Sequence, residues 1–508
     1  MSNRIGKLVA VGVALAFLAG VALGEISRVV YSTIPASPTS DVPGMPGVKF
    51  INLAGGETFQ APWRSENGRW WVVTARTTLA TTEDEVILKG SELSASVLVR
   101  EGTPIPWGTN PNALFGAIDD HMGVNNAGQV SFSTNLLGVG TAVDDVVVLW
   151  NGTTFVPIAI EGQPVPGFSG TEVYGAAVDS ATVTNTGKVA FRASATVGAL
   201  PTTEDDFLFL DDTIIAQSGL SIPTGQIGSQ PWNLFNFEQY FMSADGTKWL
   251  AGGTLTGPTA SDVILALNNN VVLQESVDFG GLPVASLSGR VLTPEGDWMA
   301  RGSYSAASGG LDFVTRNGVL LIKTDDPVPG GLPGETFDDA PYSICFFAIA
   351  TNAVGDYIYG GTTSNADVSK NAVIVFNGQE VLLREGDPVD VDGNGVADDN
   401  AYISIFSDDD LFLDRNGYFF FIAELRDDAG AYIGEAFLRV GIPICKGDMD
   451  CDGDVDFDDI DAFVEALGGN PFDWPYNCYW RAADCNDDGS VNFDDIDPFV
   501  ALIGSSCN

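Results

Sequence analysis

Two stretches near the end of the chain have the residue types and the spacing to hold a hard cation. The first, 448–459, places Asp448, Asp450, Asp452, Asp454, Asp456 and Asp459 at positions 1, 3, 5, 7, 9 and 12 of a twelve-residue loop, with Gly453 sixth. The second, 484–495, repeats the arrangement with Asp484, Asn486, Asp488, Ser490, Asn492 and Asp495, and Gly489 takes the sixth place. Oxygens at those positions suit calcium, and the sixth residue must turn through dihedrals that penalise a Cβ. Position 7 offers its backbone carbonyl, so Asp454 and Ser490 can differ. The first loop packs seven aspartates into twelve residues. Two such charges about 5 Å apart repel by roughly 3 kcal/mol at an effective dielectric of about 20, a repulsion that a cation offsets. Calcium is therefore the expected cofactor. A partial third copy has Asp390, Asp392, Asn394, Gly395 and Asp398 in place, but its twelfth position is Ala401, so a calcium clip and a plain acidic loop both remain open.

The elements around the two full loops follow from periodicity. After the first come Phe457, Ile460, Phe463, Val464 and Leu467, and after the second Phe493, Ile496, Phe499, Val500 and Ile503, the spacing of one apolar helix face. Pro443 before the first loop, and Pro471 and Pro475 before the second, rule out the entering helix of an ordinary EF-hand. Pro498 is expected to remove a hydrogen bond from the second exit helix and weaken it. Loop-plus-exit-helix pairs of this kind resemble the dockerin family, over residues 445–508. The resemblance implies docking to a cohesin-type domain on another protein, with loop positions 10 and 11, here Phe457 with Asp458 and Phe493 with Asp494, helping to choose the partner. For the two phenylalanines the other reading is helix core.

Catalytic signatures are sparse. The single histidine, His121, follows Asp119 and Asp120 and reads as a solvated loop residue, and no glycine-rich phosphate loop occurs. No catalytic residue is assigned. With 67 acidic residues a carboxylate pair for glycoside hydrolysis stays open, so a polysaccharide-active enzyme is the alternative to a binding or scaffold protein. A net charge of −44, from 23 basic against 67 acidic residues, excludes nucleic acid and anionic membranes as partners.

Arg4 and Lys7 precede an apolar run, 8–24, that ends Ala22-Leu23-Gly24, the pattern of a secretory signal peptide cleaved before Glu25; a retained anchor is the other reading. No later stretch is apolar and long enough to span a bilayer, so an extracellular or cell-surface location is expected. Five of six cysteines lie in the last 64 residues, where a small module commonly needs staples; two bridges can form, with one cysteine over and the connectivity open.

Between 46 and 442 a tetrapeptide turn recurs, 65–68, 125–128, 184–187, 243–246, 293–296, 352–355 and 414–417, always opening with Ser, Thr, Asn or Asp and closing with Gly. Its glycines stand 60, 59, 59, 50, 59 and 62 residues apart. The fourth residue after each is apolar (Val72, Phe132, Phe191, Leu250, Ala300, Tyr359, Phe421), which begins an inward-facing strand. Each unit reads as about four short strands, so the expected fold is mainly β: a seven-unit β-propeller-like domain, with tandem sandwiches as the alternative. The last unit lacks its final strand, and β sequence at 48–53 is expected to supply it. Asn125-x-x-Gly128-x-x-x-Phe132 is similar to the NxxGxxxF tandem repeat of exported bacterial proteins, a family that implies no established activity. The expected organisation is a signal peptide (1–24), a linker (25–45), the repeat domain (46–442) and a dockerin-like domain (445–508).

Overall fold

The computed structural model describes residues 26–507 apart from 36, 56, 109, 169–170, 197–199, 307–308, 310, 339 and 341–343; the signal peptide and its cleavage point lie outside the described residues. The repeat domain is a ring of seven sheets, antiparallel but for a short parallel pairing of Ser27 and Arg28 with Val389 and Asp390, and among the described residues the two short α-helices lie in the C-terminal module. Within a blade the innermost strand runs first, for example Leu114–Val124. The second (Val130–Leu137), third (Asp145–Trp150) and fourth (Phe155–Ile160) then follow outwards. The recurrent tetrapeptide joins the first strand to the second.

Its residue types have a local cause. The opening side chain accepts a hydrogen bond from the backbone N–H after the glycine, as Ser65 does from Trp70 (3.0 Å), Asn125 from Gln129 (3.0 Å), Thr184 from Lys188 (3.1 Å) and Asp414 from Tyr418 (2.8 Å). The closing glycine lies at positive φ, for instance +81° at Gly187 and +104° at Gly355. Val72, Phe132, Phe191, Leu250, Ala300, Tyr359 and Phe421 are all buried, between the faces of adjoining blades. We expect Gly187→Val and Gly355→Val each to destabilise the protein by about 1–3 kcal/mol, because a β-branched side chain must hold a left-handed backbone. Thermal unfolding with unchanged midpoints for both would remove these turns from the account.

Blades are welded at their outer corners. Gly102, Gly162 and Gly386 each donate a backbone N–H to the inner strand of the next blade, at Phe115, Tyr174 and Ile403 (2.8 Å in each case). Ring closure corrects the sequence reading. The fourth strand of the last blade is Ser27–Ser32, antiparallel to Tyr432–Gly441 with Val29 opposite Leu438. Part of 25–45 is therefore a structural strand rather than linker, while Phe50, from the expected 48–53 strand, makes only an isolated bridge to Thr77.

The C-terminal module is stapled by Cys445–Cys507 and Cys451–Cys478, leaving Cys485 over. Its helices, Ile460–Ala466 and Ile496–Leu502, follow the two aspartate loops as expected and stack Phe463 on Phe499 (centroids 4.0 Å apart, planes 7° apart). Pro498 is the third residue of its helix, where an N–H has no intrahelical acceptor, so the expected weakening does not arise. The module sits against the turn side of the ring: Tyr479 is buried there, its hydroxyl donating to Asp356 and accepting from Asn352 (2.8 Å), and Arg481 donates to Gly417 O (2.7 Å).

Candidate functional site

Each full loop is shaped by the same main-chain hydrogen bonds. In the first, Asp459 accepts from the N–H groups of Met449 (2.6 Å), Asp450 (3.2 Å) and Asp456 (2.8 Å), and Asp448 accepts from Gly453 (3.2 Å). In the second, Asp495 accepts from Asn486 (3.1 Å) and Asn492 (2.8 Å), and Asp484 from Gly489 (3.0 Å). Asx turns from Asp450, Asp452 and Asp456, and from Asn486, Asp488 and Asn492, curl each chain around its centre. Asp454 and Ser490 occupy position 7 in both.

The donor set fits calcium. Carboxylate oxygens of Asp448, Asp450 and Asp459 lie within 4.8 Å of one another. Asp448 is buried and its Oδ1 has no hydrogen-bond partner, although Oδ2 is engaged. Burial raises the Asp448 carboxyl above its ordinary value, and the neighbouring Asp459 and Asp450 add to this. A cation there would satisfy the unpartnered oxygen and offset the crowding.

The partial copy adopts the same shape with a different closing residue. Asp390 accepts from Gly395 (2.9 Å), as Asp448 and Asp484 do from their glycines, and turns from Asp392 and Asn394 follow. The carboxylate that accepts from positions 2 and 3 belongs to Asp399 (2.6 and 3.1 Å), and Asp390, Asp392 and Asp399 form one cluster. Asp398, singled out by spacing, is exposed and lies outside that cluster. The loop reaches its closing carboxylate at position 10, which a twelve-residue template passes over.

Of the partner-choosing candidates, Phe457 is 75% and Phe493 77% exposed, so neither is helix core. Asp458 and Asp494 are exposed beside them. Val464 and Val500, expected on the buried helix face, also face solvent, so each helix shows an apolar strip on its outer side.

A second site, which no sequence motif marks, lies at the centre of the ring. The inner strands bulge where they line the ring's centre, and Ala61, Ser180, Glu238 and Asp409 have positive φ there. A chamber of about 330 Å³ opens among them, walled by Trp63 and Phe241 and lined by Asp120, Glu238, Asp410 and Arg290. His121 is buried in it, not solvated in a loop, because Asp119, Asp120 and His121 belong to the strand Leu114–Val124. The signal was in the phase of the repeat: eight residues before the turn glycines stand Asp120, Asp179, Glu238 and Asp409 in four of the seven units.

A family of unknown function, DUF7453, has a model that matches residues 66–285. No curated protein matches the chain. Among solved structures, a subtype N11 neuraminidase-like protein of A/flat-faced bat/Peru/033/2010 (H18N11) aligns at 10% identity and TM-score 0.28, over 76% of this chain and 96% of its own. A protein of unknown function from Dyadobacter fermentans DSM 18053 aligns at 10% and 0.28 over 78% and 100%. The exo-beta-1,3-galactanase 1,3Gal43A from Clostridium thermocellum aligns at 11% and 0.23 over 78% and 99%. Alignments this loose carry no reading of what the present chain does.

Proposed function

We propose that this is an exported scaffold or binding protein whose C-terminal module, shaped by calcium, docks the propeller to a cohesin-type domain in an extracellular or cell-surface assembly. The observation that carries the reading is the pairing of two aspartate loops that share their hydrogen bonds from positions 3 and 9 to position 12 and from position 6 to position 1 with one strongly exposed phenylalanine at position 10 of each. Bound calcium would be held by the carboxylates of each loop, fixing the strip that runs from Phe457 to Val464 and its counterpart from Phe493 to Val500. The loop closed by Asp399 takes a further ion. Two disulfides suit an oxidising compartment, and no helix among the described residues is long and apolar enough to cross a membrane.

Phe457→Ser with Phe493→Ser should leave calcium binding and thermal unfolding unchanged while weakening capture of a cohesin-type domain from the same organism by about 2 kcal/mol or more. Equal affinity of the variant and the parent chain in surface plasmon resonance would place the docking face elsewhere.

A further inference from the structure

We propose that the chamber at the centre of the ring binds a small organic cation bearing a primary ammonium group, received by the carboxylates of Asp120, Glu238, Asp408 and Asp410 and by Nε2 of His121. The site is independent of the C-terminal module and of the docking assigned to it.

Its polar groups converge as acceptors. His121 Nδ1 lies 3.3 Å from the Glu238 carbonyl, which can only accept, so Nδ1 carries the proton and Nε2 presents a bare lone pair. That Nε2 is buried and has no hydrogen-bond partner. A group that donates is required to satisfy it.

The charge balance has the same sign. Five carboxyls line the chamber, those of Asp120, Glu238, Asp408, Asp409 and Asp410. Asp409 is neutralised by Arg301 (2.6 Å), and Arg290 offsets one more, so three negative charges remain out of five when all are ionised. Arg290 is itself held by Gln239 and by the Leu287 carbonyl (3.1 Å). Burial, with repulsion from Glu57, Asp120 and Asp409, pushes Asp410 up to about 8 against the hydrogen bond from Ala61. Burial, with Asp120, Asp119 and Asp179, pushes Glu238 up to about 7. Burial lowers His121 to about 4, which keeps its lone pair available.

A buried cation relieves that repulsion, and the rings of Trp63 and Phe241, stacked on each other with centroids 6.1 Å apart, give the chamber an apolar wall for its alkyl chain. An anion meets the wrong field, and a neutral polyol leaves the charge unbalanced. A single metal ion fits poorly, because no chamber residue belongs to any cluster of three carboxylate, imidazole or thiolate ligand atoms within 4.8 Å among the described residues.

The probe is 1,4-diaminobutane, with 1,4-butanediol as its uncharged counterpart, titrated into the full chain in saturating calcium at neutral pH. The diamine should bind once per chain and release protons to the buffer as Asp410 and Glu238 ionise, read from calorimetry in two buffers of different ionisation enthalpy, and the diol should not bind. Asp410→Asn and, separately, Glu238→Gln should each weaken the diamine by about tenfold or more, whereas Asp278→Asn on the exposed surface should not. Absence of diamine binding, equal binding of the diol, or equal weakening by Asp278→Asn would overturn the proposal. If Asp410→Asn fails to fold, the Glu238→Gln comparison decides alone.

Discussion

A chain lacking residues up to 33 is expected to lose the closed ring. Ser27–Ser32 is the only strand in the last blade that comes from the other end of the sequence, and its residues serve both neighbouring sheets. Val29 packs with the sixth and seventh blades, whereas Val30 and Tyr31 pack with the first. Tyr31 sets its ring edge-on to Phe50 (5.6 Å) and Trp71 (6.4 Å) and accepts the Ala95 N–H (2.9 Å). Losing the burial of two valines and a tyrosine forfeits about 5 kcal/mol, an upper figure because the unfolded chain is itself partly compact. The bared edge of Tyr432–Gly441 then offers unpaired N–H and C=O groups to other molecules. Thermal unfolding should show a lowered or split transition, and size-exclusion chromatography should show self-association. A single transition at the parental midpoint would mean that the strand is an accessory and the ring closes without it.

The second large effect is metal-dependent. Asp448→Ala with Asp484→Ala should abolish calcium-induced ordering of the module. Each of these residues occupies position 1 of its loop and accepts from the glycine at position 6. Calcium at about a thousand times its dissociation constant contributes about 4 kcal/mol to the state that binds it, and the double variant should forfeit that difference. The effect should reach the propeller, because Tyr479 and Arg481 tie the module to the turns that include Gly355 and Gly417. The buried Tyr479 contact argues against independent melting of the module and the propeller.

What could be read in the sequence was mostly local in origin. A turn that needs positive φ at its last residue and a short acceptor at its first writes both requirements into four positions, so the seven turns and their buried following residues were legible. The shape of the two aspartate loops, with glycine sixth and a carboxylate first and last, was legible for the same reason. Non-local choices were not. Nothing in Ser27–Ser32 indicates that it pairs with a strand some 400 residues on, and the apolar stretch 48–53 competed on equal terms. His121 looked solvated because two aspartates precede it, but in a propeller the innermost strand faces a channel that tolerates acids. Asp399 was hidden by a loop two residues shorter than its template. The apolar spacing after each loop gave a correct helix but joined a buried position, Phe463, to exposed ones, Phe457 and Val464; seven-residue helices are too short for periodicity alone to separate two faces.

Calorimetric titration of the calcium-stripped full chain, with thermal unfolding of the same samples in calcium and in chelator, tests the central claim most directly. The account predicts three calcium ions per parental chain and one, at the loop closed by Asp399, in the Asp448→Ala and Asp484→Ala variant. It also predicts a calcium-dependent transition in the parent that the variant lacks. Equal calcium uptake by both chains, or identical unfolding of the parental chain in calcium and in chelator, would contradict it.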